Sequence, residues 1–314
     1  MGKKAIDRSQ STLVDAFLRD EMARGNRALR SIAPVVGQLL DGEGPSLFGD
    51  AIIARLRGML GHIAEQLIGE LPVIEGNNPE LESPQNALAA RMSTDETVVD
   101  HLYTCALEGY LSGKLEQSAS IDPVLSPLIQ ELIASEKPEI AELAMSALAA
   151  QSRFSQSQRR MEIPIGELPF EVFGRVLEHF EAVSLGAEKR QIDTIITNLK
   201  QRYDEGAGRI GLFARLSASM HGGAVAALDL GHAGLALFTS GLASLTQQQR
   251  DRAVFACHES HTVRLALMLK AAGLSSHSID SQLTILGCTK SLPSQFEMLS
   301  QTVAQDTLRE LSEV

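Results

Sequence analysis

Tryptophan is absent from this 314-residue chain, and aromatic residues make up only 4% of it. The core must therefore be built from Leu, Ile, Val, Ala and Met. That argues against a β-sandwich, whose strands are rich in aromatic and β-branched residues, and for helix packed on helix. No run alternates Val, Ile, Thr and aromatics between turns. The nearest, IPIGELP, is too short and too rich in proline. Cysteine is scarce as well. Cys105, Cys257 and Cys288 are odd in number, widely spaced and form no CxxC. This argues against a disulfide framework and for a reducing compartment, the cytoplasm. Positive charge is short: the net charge is −11. Such a chain repels phosphates, which argues against non-specific binding to nucleic acid or an anionic membrane. Protein and small-molecule partners stay open. Long apolar runs are also missing. The richest stretch, Gly222–Leu245, is interrupted by Asp229 and His232. It reads as buried helices and not as a membrane span, which needs ~20 mostly apolar residues. The opening MGKKAIDRSQS has no apolar region after its basic start, so it is not a signal peptide. Ile6 stands where a myristoylation signal wants a hydroxyl.

What is there is helical periodicity. Leu13–Leu40 is helical in pattern, weakened at Pro34. Ile52, Leu56, Met59, Leu60, Ile63 and Leu67 make a second stripe. Leu71–Pro84 then breaks the pattern with three prolines, a glycine and two asparagines, and reads as a loop or linker. Ser83 and Pro84 suit an N-cap and a first helical position. Ser93 with Glu96 fits a capping box ahead of the face Val99, Leu102, Tyr103, Ala106, Leu107 and Tyr110. Asp122–Pro123 is expected to open a helix carrying Leu125, Leu128 and Ile129. Lys137–Pro138 opens another, with Ile140, Leu143, Ala144, Ala147 and Leu148 on one side, running to Arg159 and Arg160. Pro164 and Pro169 fence off MEIPIGELP, because proline cannot continue a helix. New stripes follow at Phe173, Val176, Leu177 and Phe180, then at Ile192, Ile195, Ile196, Leu199 and Tyr203.

From Arg209 the helices shorten. LALFTSGLASLTQQQRDRAVFAC and LALMLKAAGLSSHSIDSQLTILGC share LAL, a Gly-Leu, an Asp and a terminal Cys, at Cys257 and Cys288. This points to stacked helical pairs, whether as a true repeat or by shared composition. Ser294 with Glu297 suits the cap of a last helix. The expected fold is all-α: an N-terminal helical bundle followed by a stack of short helical hairpins, HEAT-like or irregular. The expected division is 1–160, a proline-bracketed connector at 161–169, and 170–314.

No motif in the chain names a reaction. CHESH places Cys257 and His261 one helical turn apart, and Cys288 would add a third soft ligand. HESH is not HExxH, so Cys257, His261 and Cys288 make a weak metal set, and no metal or cofactor is expected. A buried helix end is the plainer reading. HGGAVAALDLGHAG lacks the spacing of a nucleotide loop, and its glycines read as a helix break or close packing. If the chain is an enzyme or a small-molecule sensor, His221, Asp229, His232, His258 and His261 would line its interhelical pocket. His62 lies mid-helix as a phospho-accepting histidine does, but its flanks lack that motif, and an ordinary boundary histidine is the plainer reading. Arg153, Arg159 and Arg160 form a basic patch in an acidic protein. They are either a solvated helix end or the contact for an acidic partner.

The segment ALAAQSRFSQSQRRMEIPIGELPFEVF, with VRLALMLKAAG further on, resembles a family of uncharacterised all-helical bacterial proteins, mainly alphaproteobacterial, classed as a domain of unknown function. The resemblance spans about the last two-thirds of the chain. It implies a cytoplasmic bacterial protein of helical-repeat type, and it brings no catalytic residues. Helical arrays work mostly by binding. The reading of the sequence is therefore a non-catalytic interaction or regulatory module with an unidentified protein partner. A homodimer through the N-terminal helices is a further expectation.

Overall fold

The computed structural model describes residues 16–28, 30–31, 34, 50–71, 83–183, 189–288 and 292–312. Among these the chain is all-α. Helix α1 covers residues 16–28. It is followed by α2 (Asp50–Ile68), α3 (Pro84–Met92), α4 (Glu96–Ala119), α5 (Pro127–Ile133), α6 (Pro138–Arg159) and α7 (Phe170–Val183). Then come α8 (Lys189–Arg202), α9 (Arg209–Ser219), α10 (Leu230–Thr246), α11 (Arg250–Ala256), α12 (Thr262–Ala271), α13 (Ser276–Ile285) and α14 (Gln301–Ser312). No helix among the described residues is long and apolar enough to cross a membrane. Most of the expected linker at 71–84, and much of Leu13–Leu40, lies outside the described residues.

The contacts do not divide the chain at 161–169. They define two compact units, each made of separated segments. The first holds Met1–Arg30, Leu111–Met145 and Phe213–Val314; the second holds Ser31–Tyr110 and Ser146–Leu212. The proline-bracketed connector therefore lies wholly inside the second unit. Sequence order hides this, because α4, α6 and α9 each contain a boundary.

In the second unit, α3 packs on α2 and α7. Residues 101–108 of α4 are buried all round, which makes this stretch a core helix and not the one-faced helix its stripe implied. Polar side chains on its remaining face are buried too, among them His101, Thr104 and Glu108. Glu108 is matched by Arg209 at the start of α9. The guanidinium donates to both carboxylate oxygens, at 2.7 and 2.9 Å. It also donates to Gln151 on α6 at 3.3 Å and sits 3.6 Å from the Phe154 ring centroid. The Arg209 amide donates to Glu167 at 2.7 Å, which ties the connector to the same point.

In the first unit, α10 packs on α5, α11 and α12, and α12 packs on α13 and α14. The two similar sequence pieces each form a helical pair joined by a short turn, α10–α11 and α12–α13, with Cys257 and Cys288 just past the second helix. Helix α1 spends its apolar side chains Leu18 and Met22 inside this unit. Gly25 lets it approach the Arg264 guanidinium, which donates to the Met22 carbonyl at 3.3 Å and to Asn26.

Three helix starts differ from expectation because a nearer side chain wins the cap. Asp95, not Ser93, accepts from the Val98 amide at 3.2 Å and starts α4. Ser126 accepts from Ile129 and starts α5, while Asp122 turns the chain by accepting from Val124 and Leu125. Ser300 accepts from Val303 and starts α14, leaving Ser294–Met298 as a 3₁₀ turn.

The Glu108–Arg209 pair generates a stability prediction. Glu108→Gln leaves a buried guanidinium without its counter-charge, so urea unfolding is expected to show a loss of about 3–5 kcal/mol. A double variant, Glu108→Leu with Arg209→Met, is expected to recover most of it. A single variant as stable as the parent would show that the pair is not desolvated.

Candidate functional site

The buried face of α6 in the second unit is small and polar: Ala147, Ala150, Gln151, Phe154, Ser157 and Gln158. That places Arg153, Arg159 and Arg160 outside, and all three are exposed. Arg153 and Arg160 are seven residues apart and share a side; Arg159 is rotated by about 100° from Arg160. Arg160 pairs with Glu162 at 2.7 Å. Arg153 and Arg159 form no ion pair with any described residue.

The helix ends beside them in a Schellman motif. The Glu162 amide donates to Ser157 at 2.8 Å and the Met161 amide to Gln158 at 3.3 Å. Met161 takes the left-handed position, with φ 59°. Glycine is the usual residue there, and a side chain costs strain. Yet Met161 remains 40% exposed. Its Cβ lies so close to α2 that a Cβ on Gly58 would stand 2.5 Å away. Gly58 is thus required by close approach, and its neighbour Arg57 is exposed.

The chain after Met161 is pinned to α2. His62 Nδ1 faces the Ile163 backbone, 2.8 Å from its carbonyl oxygen and 3.2 Å from its amide nitrogen, donating to the first or accepting from the second according to tautomer. Gln66 donates to the same carbonyl at 3.0 Å and accepts from the Ile165 amide at 3.1 Å. His62 therefore holds the proline-bracketed break. The basic end of α6 stands on a fixed support, which is what a recognition surface needs.

Other expected residues have structural partners. Asp229 caps α10 by accepting from Gly231 at 3.1 Å, and His232 pairs with Glu131 at 3.0 Å, so the two do not pair with each other. The His221 side chain lies outside the described residues. His258 Nδ1 accepts from the Ser260 amide at 3.2 Å, and His261 stacks on Phe255 at 3.9 Å. No hydrogen bond, ion pair or ring contact among the described residues joins Asp229 or His232 to His258 or His261. Asp229 and His232 are thus engaged apart from His258 and His261. Cys257 is buried and donates to the Ala253 carbonyl at 3.2 Å. Among the described residues no three or more His, Cys, Asp or Glu gather to hold a metal, so Cys257, His261 and Cys288 do not converge.

Near the α11–α12 turn, Lys114 pairs with Glu259 at 2.7 Å, beside a 210 Å³ cavity between the end of α4 and the end of α13. Burial raises the Cys288 thiol above its usual range, with Thr262 hydrogen-bonding against the shift. Burial likewise lowers His258, with Glu259 opposing it. A thiol held neutral in this way is not an activated nucleophile.

One buried centre gave no sequence signal beyond a cap residue. The Asp95 side chain is 2% exposed and accepts from Arg175 at 2.6 and 2.9 Å and from His179 at 2.8 Å. Burial pushes its carboxyl up, but the hydrogen bonds from His179, Arg175 and Val98 outweigh this and hold it below the usual range. The cluster fastens α7 to the start of α4. Comparison of the chain with protein-family models, with curated proteins and with solved structures gives no match.

His261 gives the molecule a defined acid response. Burial, with His258 and Arg264 nearby, pushes its pKa down to about 3. Below pH ~6.5 the unfolded chain takes up a proton that the folded chain refuses, so stability falls with pH down to the folded value. The contribution lost is about 2 kcal/mol by pH 5. His261→Phe keeps a ring on Phe255, and its unfolding free energy is expected to fall less steeply than the parent's over that interval. Parallel pH profiles for parent and variant would count against this.

Proposed function

We propose that the chain is a non-catalytic interaction protein that binds an acidic protein partner through Arg153, Arg159 and Arg160 around Met161. One observation carries the reading: three exposed arginines and a half-exposed methionine surround a strained helix end that His62 and Gln66 hold in place. Arginine and methionine are both enriched where proteins meet. In a chain of net charge −11, a local cluster of arginines selects acidic partners by field as well as by contact. Three free cysteines, two of them buried, support a reducing compartment such as the cytoplasm. A homodimer through the N-terminal helices would have to use side chains other than Leu18 and Met22, which α1 buries within its own unit. A signalling role for His62 would have to use Nε2, since Nδ1 meets the Ile163 backbone.

The test compares the intact protein with Arg153→Glu, Arg159→Glu and Arg160→Glu combined, as baits for partners from cells that make the protein. A stoichiometric partner held by the parent, weakened by salt and lost by the variant is the expected result. The variant should fold as the parent does, because exposed substitutions cost within ~0.5 kcal/mol each. Equal capture by both baits, or none by either, would overturn the reading.

A further inference from the structure

The first unit contains two more helix ends with a non-glycine residue in the left-handed region, Ser120 after α4 and Gln247 after α10, and the second of these borders the larger cavity. Helix α10 closes in a Schellman motif: the Gln248 amide donates to Ala243 at 3.0 Å and the Gln247 amide to Ser244 at 3.4 Å. Gln247 holds the left-handed position, with φ 54° and ψ 35°. Helices α12 and α13 close in the same way, with Leu274 donating to Leu269 and Cys288 to Leu283. There the left-handed residues are Gly273 and Gly287. Three equivalent ends in one unit thus carry two glycines and one glutamine. Gln247 is exposed, so packing does not call for its side chain. A strained residue kept without a packing reason points to a function for what it carries.

What it carries lines a cavity of 570 Å³, within the usual range of small-molecule sites, about 300–1,000 Å³. Gln248 and Thr246 stand on the same wall; Gln305 and Arg309 of α14 form another, and Ala271 closes α12 beside them. Gln305 donates its amide to the Ala271 carbonyl at 3.0 Å, which fixes the side chain and leaves its carbonyl oxygen as a placed acceptor. Leu245 and Leu308 add apolar surface, but most of the lining is amide and hydroxyl, groups that both donate and accept and so suit a ligand rich in hydroxyl groups. The charged lining residue is Arg309, whose side chain is 69% exposed and, among the described residues, pairs with Asp306 alone, at 3.4 Å. It can hold an acidic group at the rim.

We propose that this cavity binds a hexose-sized polyhydroxylated molecule bearing one acidic group, phosphate or carboxylate. The hydroxyls meet the glutamine amides and the acid meets Arg309. The site is separate from the arginine surface of α6, so either reading stands without the other.

The experiment measures binding to the full chain by calorimetry, with thermal unfolding followed by circular dichroism. The probes are glucose-6-phosphate, glucuronate, glucose and inorganic phosphate. Saturable binding at millimolar concentration is expected for one or both sugar acids, and little for glucose or phosphate alone. Which sugar acid binds distinguishes the two acidic groups. Gln247→Gly separates function from fold: without ligand its Tm should rise by about 2 °C, because glycine relieves the left-handed strain. Its affinity for the sugar acid should nevertheless fall about tenfold or more. Gln305→Ala should weaken binding with no gain in Tm. Three outcomes overturn the proposal. They are no saturable binding of either sugar acid, equal binding of inorganic phosphate (an adventitious ion only), and unchanged affinity in Gln247→Gly.

Discussion

The second unit depends on the ion pair between Glu108 and Arg209. Both side chains are almost wholly removed from water, at 1% and 3% exposure. Their desolvation is tolerable only because the geometry is bidentate and Gln151 and Phe154 complete the surroundings. The pair is therefore less a source of net stability than a specification. It also explains why α6 turns a polar face inward. A helix that must present Gln151 to a buried guanidinium, with Phe154 stacked under it, has its opposite side committed to solvent. Arg153 and Arg160 belong to that side. The exposed basic surface is in this sense a consequence of the buried charge.

A second constraint acts at helix ends. Four Schellman motifs close α6, α10, α12 and α13, and the left-handed residue is Met161, Gln247, Gly273 and Gly287 in turn. Glycine is the low-cost solution and appears at two of them. The other two carry side chains that project beside an arginine cluster and into a polar cavity. Met161 is supported on its far side, where it rests on Gly58, whereas the end of α10 opens onto the cavity. Strain that persists in a marginally stable fold must be over-determined by its surroundings.

Much of the helical order was legible in the sequence, because periodicity and proline report directly on local backbone. Pro138 does open α6, and α6 does end at Arg159 before a proline-bracketed break and α7. Periodicity reports only one face, however. It marked Val99, Leu102 and Ala106 on α4 but could not show that the other face would be covered as well, burying His101 and Glu108. Caps were misplaced where two candidates stood within a few residues, as with Ser93 and Asp95, since only geometry decides which oxygen reaches the amide. The interleaving of the two units left no mark, because long-range pairing such as Glu108 with Arg209 carries no local signature. Nor does the sequence show that the helix cap takes Asp229 and that Glu131 takes His232.

The titratable groups also divide by environment in a way that bears on function. Inside, burial and pairing drive them toward a single protonation state at neutral pH: His261 and Cys288 stay neutral, and Asp95 stays charged against Arg175 and His179. Acid–base catalysis needs a group poised near the working pH, which His261, Cys288 and Asp95 are not. Arginine shows the same split. Arg209 and Arg175 are bound to carboxylates of their own unit, whereas Arg153 and Arg159 face outward from a rigid helix end. A guanidinium held in place and still hydrated gives up little to meet an incoming carboxylate, since it is more weakly hydrated than an ammonium and its donors are already in one plane. The buried carboxylates Asp95 and Glu108 are thus matched within their own unit, while Arg153 and Arg159 are left to solvent.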